Sequence, residues 1–272
     1  MTQAQLQNEI VKRYGNITRA RDCFLYTKKN VRLTDLFLDD GRALLGWKTN
    51  ALSVFKNVFE RGINGTYANE YVSRIPKAIS VLTNDERIVF AVFGKARALS
   101  FAKKISNDAK LFRVFETEQD DCAKNDYLVF VPPFPFAIDV YFVAVKNNAN
   151  NVSFTNDLRA EFPFCVNDNF FLERALPASI SAGIARSFFD LKKAMNERRE
   201  KHFFRFDKIL QNYFVRKGAY LFPKISEARY DDFVKHCLDC ALVINPTFSE
   251  PSIVPYKAES GVFRKLGRTS FQ

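Results

Sequence analysis

Between Ile88 and Phe93 six apolar residues follow one another without a polar break, and Gly94 ends the run. From Ala96 to Ile105 the apolar spacing turns helical. A strand with no alternation belongs where both faces of a sheet are covered, and a sheet wet on one side would show a polar residue at every second place. Strand, glycine turn and helix in that order open an α/β unit.

The rest of the chain adds elements around this unit. Residues 1–22 read as helix, with Leu6, Ile10 and Val11 on one side. Phe24 and Tyr26 alternate before the polar turn Thr27-Lys28-Lys29-Asn30, and Val31, Leu33 and Leu36-Phe37 follow it, which predicts two short strands joined by a tight turn. Helical spacing runs from Ala51 to a C-cap at Gly62, and again from Tyr71 to Leu82. Residues 111–171 are mostly strand-like, with strands predicted at Leu111–Phe115, Tyr127–Val131, Ile138–Val145 and Val152–Phe154. Pro177 suits the first turn of a long helix whose apolar positions are Ile180, Ile184, Phe188, Leu191 and Met195. The small residues Ala178, Ser181, Ala182, Gly183 and Ala185 let a neighbour approach that helix closely. The end reads helix (206–215), strand (219–222), helix (230–238), strand (241–244).

Composition decides what such a chain can be made of. Among 272 residues there are 29 Phe but one Trp and 10 Tyr, so a large core can be filled without supplying hydrogen-bond partners. At 47% hydrophobic and 26% charged the chain is globular, not disordered. The start is polar, with no basic n-region before an apolar stretch. The most apolar window, Leu128–Val145, contains Pro132, Pro133, Pro135 and Asp139, which a membrane helix would not tolerate. Five scattered cysteines read as reduced thiols, and a cytoplasmic location is expected. The net charge of +11 permits nucleic-acid or anionic-lipid contact without establishing either. Its densest cluster (Lys192, Lys193, Arg198, Arg199, Lys201, Arg205) reads as a solvated helical face or a phosphate-binding stripe. A nucleic-acid partner, read from charge and exposed Phe, would require aromatics clustered with Lys or Arg on one sheet face.

Motifs that carry chemistry by themselves are few. The P-loop, dinucleotide, zinc-protease and nucleophile-elbow patterns are absent. Two histidines, His202 and His236, leave no His-rich metal site, and His236-Cys237-x-x-Cys240 lacks a second ligand pair, so its thiols are expected to be buried and no metal site is predicted. Ser100-x-x-Lys103 matches a serine–lysine spacing without its companion motifs.

A longer pattern is more specific. Phe24-Leu25-Tyr26-Thr27 through Thr34-Asp35-Leu36, followed by Gly41-Arg42-Ala43-Leu44-Leu45-Gly46-Trp47, resembles the N-terminal hairpin and loop of class III-like, fold-type I pyridoxal-phosphate aminotransferases. Thr27 stands where that family has Asp, and Trp47 where it has His. Phe93-Gly94-Lys95-Ala96 falls at the place of its phosphate-holding turn. Leu176-Pro177-Ala178 through Asp190-Leu191 is similar to its Asn-Pro-Leu-Ala-Ala helix, and residues 218–246 to its C-terminal small domain. The resemblance spans roughly residues 20–105 and 176–255.

That resemblance implies an α/β fold: a shortened three-layer large domain with a central mixed sheet (51–205), and a small α+β domain built from both chain ends (1–50 and 206–272). It implies pyridoxal phosphate as cofactor, held by Gly94, Lys95 and Ala96 at a helix start whose N–H groups and dipole favour an anion. Amino-group transfer between an amino acid and a keto acid would follow, with Lys146, at the end of a predicted strand, as the catalytic Schiff-base lysine, and a homodimer as the assembly. Lys103 is the second choice for the lysine and Asp139 the candidate partner of the ring nitrogen. Residues 106–175 are too few for the stretch that supplies the family's Asp, stacking aromatic and lysine. The alternative is therefore a catalytically inactive relative that binds or interacts, and Lys146 beside Asn147-Asn148 also reads as a solvated turn lysine.

Overall fold

The computed structural model describes residues 1–107, 109–116, 122–147 and 161–271. In chain order the helices are α1 (Gln3–Tyr14), α2 (Asn50–Phe59), α3 (Arg74–Thr83), α4 (Lys95–Lys103), α5 (Ala178–Glu197), α6 (Asp207–Leu210), α7 (Glu227–Asp239) and α8 (Arg264–Arg268). The first six strands are β1 (Ile17–Arg21), β2 (Phe24–Thr27), β3 (Arg32–Asp35), β4 (Arg87–Phe93), β5 (Tyr127–Phe130) and β6 (Val140–Lys146). The others are β7 (Phe164–Asn167), β8 (Phe170–Leu172), β9 (Phe214–Lys217), β10 (Tyr220–Pro223), β11 (Leu242–Val243) and β12 (Ser252–Ile253). Two compact units result, one from Met1–Lys48, Phe115–Glu118 and Glu197–Gln272, the other from Thr49–Val114 and Gln119–Asn196.

Both ends of the chain build the first unit. Its larger sheet has the order β1-β2-β3-β11; β1, β2 and β3 form an antiparallel meander, and β11 joins β3 in parallel, Leu242 opposite Thr34 and Val243 opposite Asp35. A reciprocal cap between Thr2 and Gln5 starts α1, and Leu6 and Ile10 bury its inner side. The Tyr14 hydroxyl donates to the Leu238 carbonyl at 2.6 Å, and Arg13 Nε pairs with Asp239 at 2.8 Å, fixing α1 to the end of α7. The helical reading of residues 1–22 ends early: Gly15 adopts φ +73°, and Ile17–Arg21 becomes strand β1. Its residues are exposed or half-buried, so no apolar alternation marks it.

A second, three-stranded sheet of order β12-β10-β9 completes this unit. The helix expected over 206–215 shrinks to four residues, because Phe214–Lys217 pairs with β10 instead. Arg216 holds that arrangement with two bonds to Asp207, at 2.6 and 2.8 Å, and one to Glu200 at 2.5 Å. This pair, and Phe203 packed on Phe115, carry residues 197–205 into the first unit, ahead of the expected boundary at 206.

In the second unit a mixed sheet of order β5-β6-β4-β8-β7 is covered on both faces. β4 pairs antiparallel with β6 over its whole length and parallel with β8, and six of its seven residues are buried. On the α4 side, Phe90 meets Phe101, Phe162 and Phe171 at centroid distances of 5.1, 5.1 and 5.4 Å. On the other side, Phe188 of α5 lies edge-on to Phe130 and Phe142 at 5.9 and 5.7 Å. Three layers filled by phenylalanine are what the composition and the β4 run imply. Leu111–Phe115 is not a strand: only Leu111 bridges, to Val129. The strand expected at Val152–Phe154 lies outside the described residues. No helix among the described residues is long and apolar enough to cross a membrane.

The small-residue face of α5 meets a phenylalanine. A methyl group on Gly183 would lie 2.6 Å from the fully buried Phe134 ring. Helix propensity favours Gly183→Ala by about 1 kcal/mol, while overpacking costs about 1–3 kcal/mol. Sterics should win, so Gly183→Ala lowers the denaturation midpoint; an unchanged or raised midpoint would show that Phe134 yields.

Candidate functional site

The carboxyl ends of the parallel strands β4 and β8 lie side by side, the place where ligands bind in open α/β sheets. After Phe93 the chain turns at Gly94, whose φ of +95° favours glycine, and α4 starts there without a side-chain cap. The Gly94 N–H donates to the Asp139 carbonyl at 2.9 Å, and its carbonyl accepts from Ala98 N–H at 2.9 Å. Lys95 and Ala96 are the first two residues of α4. Uncapped N–H groups at a helix start attract an anion.

Charged groups of both signs stand at the same turn. Glu173, one residue past β8, accepts the Phe93 N–H at 2.8 Å and pairs with Arg97 at 2.5 Å; its side chain is 11% exposed. The Asp139 carboxylate lies 3.8 Å from where a Gly94 side chain would begin. The structure therefore brings Gly94, Lys95, Ala96 and Asp139 together, and adds Glu173 and Arg97. These two were missed because the β4–β8 pairing that delivers them leaves no local trace; the apolar triplet Phe170-Phe171-Leu172 was the available signal.

Lys146 is not brought to this turn. It pairs with Arg87, at the opposite end of β4 from Phe93. Seven strand steps at about 3.3 Å separate Arg87 from Gly94, roughly 23 Å, beyond a lysine side chain's reach. Lys146 Nζ instead lies 3.6 Å from Asp126, beside the buried Arg87 guanidinium that donates to the carbonyls of Cys122 and Asn125 at 2.8 Å. Lys103 closes α4, roughly 12 Å along the helix from Lys95. The backbone turn suits a phosphate, but neither Lys146 nor Lys103 stands where it could form an imine with a cofactor held there. Among the described residues no cluster suits a metal ion, and Cys237 and Cys240 are buried thiols.

A cavity of about 710 Å³ lies beyond the carboxyl end of β8, lined by Tyr67, Val72, Phe164, Leu172 and Leu176, with Thr66, Asn69 and Glu70 as polar members. This volume and apolar lining are in the range of small-molecule pockets.

In the first unit, the segment that carries the family resemblance is organised by Asp35. This carboxylate, 1% exposed, accepts the backbone N–H groups of Phe37 and Leu38 at 3.0 and 2.9 Å and the Trp47 indole N–H at 2.9 Å. These bonds lead into Leu38, Asp39 and Asp40, all left-handed at φ +49°, +50° and +56°, a conformation costing about 1–2 kcal/mol per residue. Trp47, the departure from the resembled family, is thus bonded to Asp35. Nearby, Arg198 stacks 4.2 Å from the Tyr256 ring centroid, donates to the Leu44 carbonyl at 3.1 Å, and is pushed down to about 10 by burial.

No protein-family model matches the chain. An uncharacterized protein of Treponema pallidum is 26% identical, covering 92% of each chain, and another of Borreliella burgdorferi is 23% identical, covering 92% of this chain and 89% of its own. Among solved structures, acetylornithine aminotransferase from Elizabethkingia anophelis superposes with a TM-score of 0.64 at 10% identity, over 98% of each chain. Ornithine aminotransferase from Plasmodium yoelii gives 0.63 at 11% over 98% and 97%, and serine palmitoyltransferase from S. paucimobilis 0.61 at 11% over 97% and 96%. The chain has a mixed α/β, aminotransferase-like fold.

Burial raises the Asp35 carboxyl to about 6, against the bonds from Leu38, Trp47 and Phe37 that favour its charge. In the unfolded chain it ionises near 3.9. Between these values the folded state holds a proton that the unfolded state lacks, so this group's stabilisation is full below about pH 4 and is lost as pH rises through about 6. Denaturation of wild type and Asp35→Asn across pH 4–7 should show the wild type losing stability relative to the variant as pH rises. A difference independent of pH would remove Asp35 as the titrating group.

Proposed function

We propose that this chain is a binding protein on a shortened, catalytically degenerate aminotransferase scaffold, one that does not transfer amino groups through a lysine imine. The observation that carries this reading is the length of β4, which puts Gly94 and Lys146 at opposite ends. Glu173 at the turn is already committed: it joins β8 to β4 through the Phe93 N–H and pairs with Arg97 of α4, bracing a strand end.

Binding is assigned to the cavity beside β8. Its apolar walls suit a small molecule with an apolar body, and Asn69 is already committed to the backbone N–H groups of Tyr71 and Val72 at 3.2 Å. A homodimer and a cytoplasmic location belong to the same proposal.

The test is direct. Purified protein mixed with one equivalent of pyridoxal phosphate, reduced with borohydride and digested should yield no stoichiometric pyridoxyl-lysine peptide, and the dialysed protein should be colourless. Lys146→Ala should behave identically. A yellow protein with one lysine labelled per chain, and amino transfer from ornithine or alanine, would overturn the proposal and identify the lysine.

A further inference from the structure

Three members of the densest basic cluster in the sequence are committed to neighbouring groups. Lys192 donates to the Leu82 carbonyl and to Asn84, Arg198 to the Leu44 carbonyl, and Arg205 to the Ala258 carbonyl. A second basic stretch lies nearer the start of the sequence, with Arg13 in it paired to Glu9 and Asp239. Residues 10–34 contain seven Lys or Arg (12, 13, 19, 21, 28, 29, 32) and one acidic residue, Asp22, a net +6 of the chain's +11.

Strand register puts three of these charges on one face with two aromatic rings. Arg19 lies opposite Tyr26 and Arg21 opposite Phe24 across β1–β2, while Arg32 lies opposite Tyr26 across β2–β3. Residues directly opposite share a face of the sheet, so Arg19, Tyr26 and Arg32 form one row, with Arg21 and Phe24 beside it. The alternate residues Leu25, Thr27 and Leu33 are buried on the other face. All three arginines are exposed, and both rings are half-buried. The Arg32 guanidinium lies 4.5 Å from the Phe24 centroid and that of Arg19 5.4 Å from the Tyr26 centroid. Asp22 sits in the β1–β2 turn, 3.5 Å from Arg21 and bonded at 2.8 Å to Lys257. Lys28 and Lys29 are exposed at the β2–β3 turn, Lys29 bonded to the Arg13 carbonyl.

We infer that this face of the β1–β3 meander binds single-stranded nucleic acid, with Phe24 and Tyr26 as stacking platforms for unpaired bases and Arg19, Arg21 and Arg32 as phosphate contacts. Charge complementarity selects the partner: a polyanion meets a stretch of net charge +6. The rings select the single strand, because stacking on a sheet needs a base face that a duplex hides. A lipid surface is disfavoured, since the two rings are half-buried with guanidinium groups over them and offer no exposed apolar face for insertion.

Fluorescence anisotropy of the full chain with a labelled single-stranded RNA of about twelve nucleotides tests this. The expected result is salt-dependent binding that an equal-length duplex competes for poorly. Arg19→Ala with Arg32→Ala should weaken it at least tenfold and reduce the slope of log affinity against log salt by about 1.4. Tyr26→Ala should weaken it about tenfold with the slope unchanged. Both arginines are exposed, so the double variant should keep the wild-type melting temperature. Binding indifferent to the arginine pair, equal affinity for the duplex, no binding at low salt, or binding only to vesicles of anionic phospholipid would each overturn the inference.

Discussion

The parallel ladder between β3 and β11 is the constraint on which the first unit depends. Parallel strands cannot be joined by a tight turn, and here residues 36–241 of the 272 lie between them. The ladder is short, yet it is extended at both ends: Thr34 N–H donates to the Ala241 carbonyl at 2.9 Å, and Leu36 and Phe37 N–H share the Val243 carbonyl at 2.7 and 3.0 Å. Ile253 N–H then takes the Leu36 carbonyl at 2.7 Å. Loop-closure entropy grows only slowly with length, so a long detour between paired strands is tolerated. Asp35 is the residue where ladder and loop meet, one side of it in the sheet and its carboxylate capping the left-handed turn.

β4 plays the corresponding part in the second unit, and its two ends carry different chemistry. The carboxyl end combines an uncapped helix start with Asp139, Glu173 and Arg97. The amino end holds Arg87, buried against backbone carbonyls, with Lys146 and Asp126 beside it. A strand is a rigid spacer, so neither set of groups can assist the other. Fold and chemistry separate at this point: superposition shows the aminotransferase-like architecture, while the groups at the strand ends are held too far apart to act on one cofactor.

Much of this architecture was legible locally. The apolar run at 88–93, the glycine after it, and Pro177 with its four-residue periodicity mark elements whose burial is nearly complete, and a buried element writes its period plainly into the sequence. Elements with little burial did not: β1 and β9 present mostly exposed or half-buried residues, so one was absorbed into a helix and the other into a longer one. The candidate site divides in the same way. Gly94, Lys95 and Ala96 follow from strand–turn–helix order, but the distance to Lys146 depends on the register and direction of β6 against β4. That pairing is a tertiary fact, and position along the chain says nothing about which strand end a residue reaches. The arginine–aromatic face was likewise hidden, because cross-strand pairs are invisible until the register of the meander is known.

Calorimetric titration with pyridoxal phosphate and with pyridoxamine phosphate tests the central claim most directly. The two share the phosphate and ring but only the aldehyde can be captured by a lysine. With turn and lysine at opposite ends of β4, the two ligands should show equal affinity or no binding. Pyridoxal phosphate bound at one site per chain at least about tenfold more tightly, about 1.4 kcal/mol, would contradict the account.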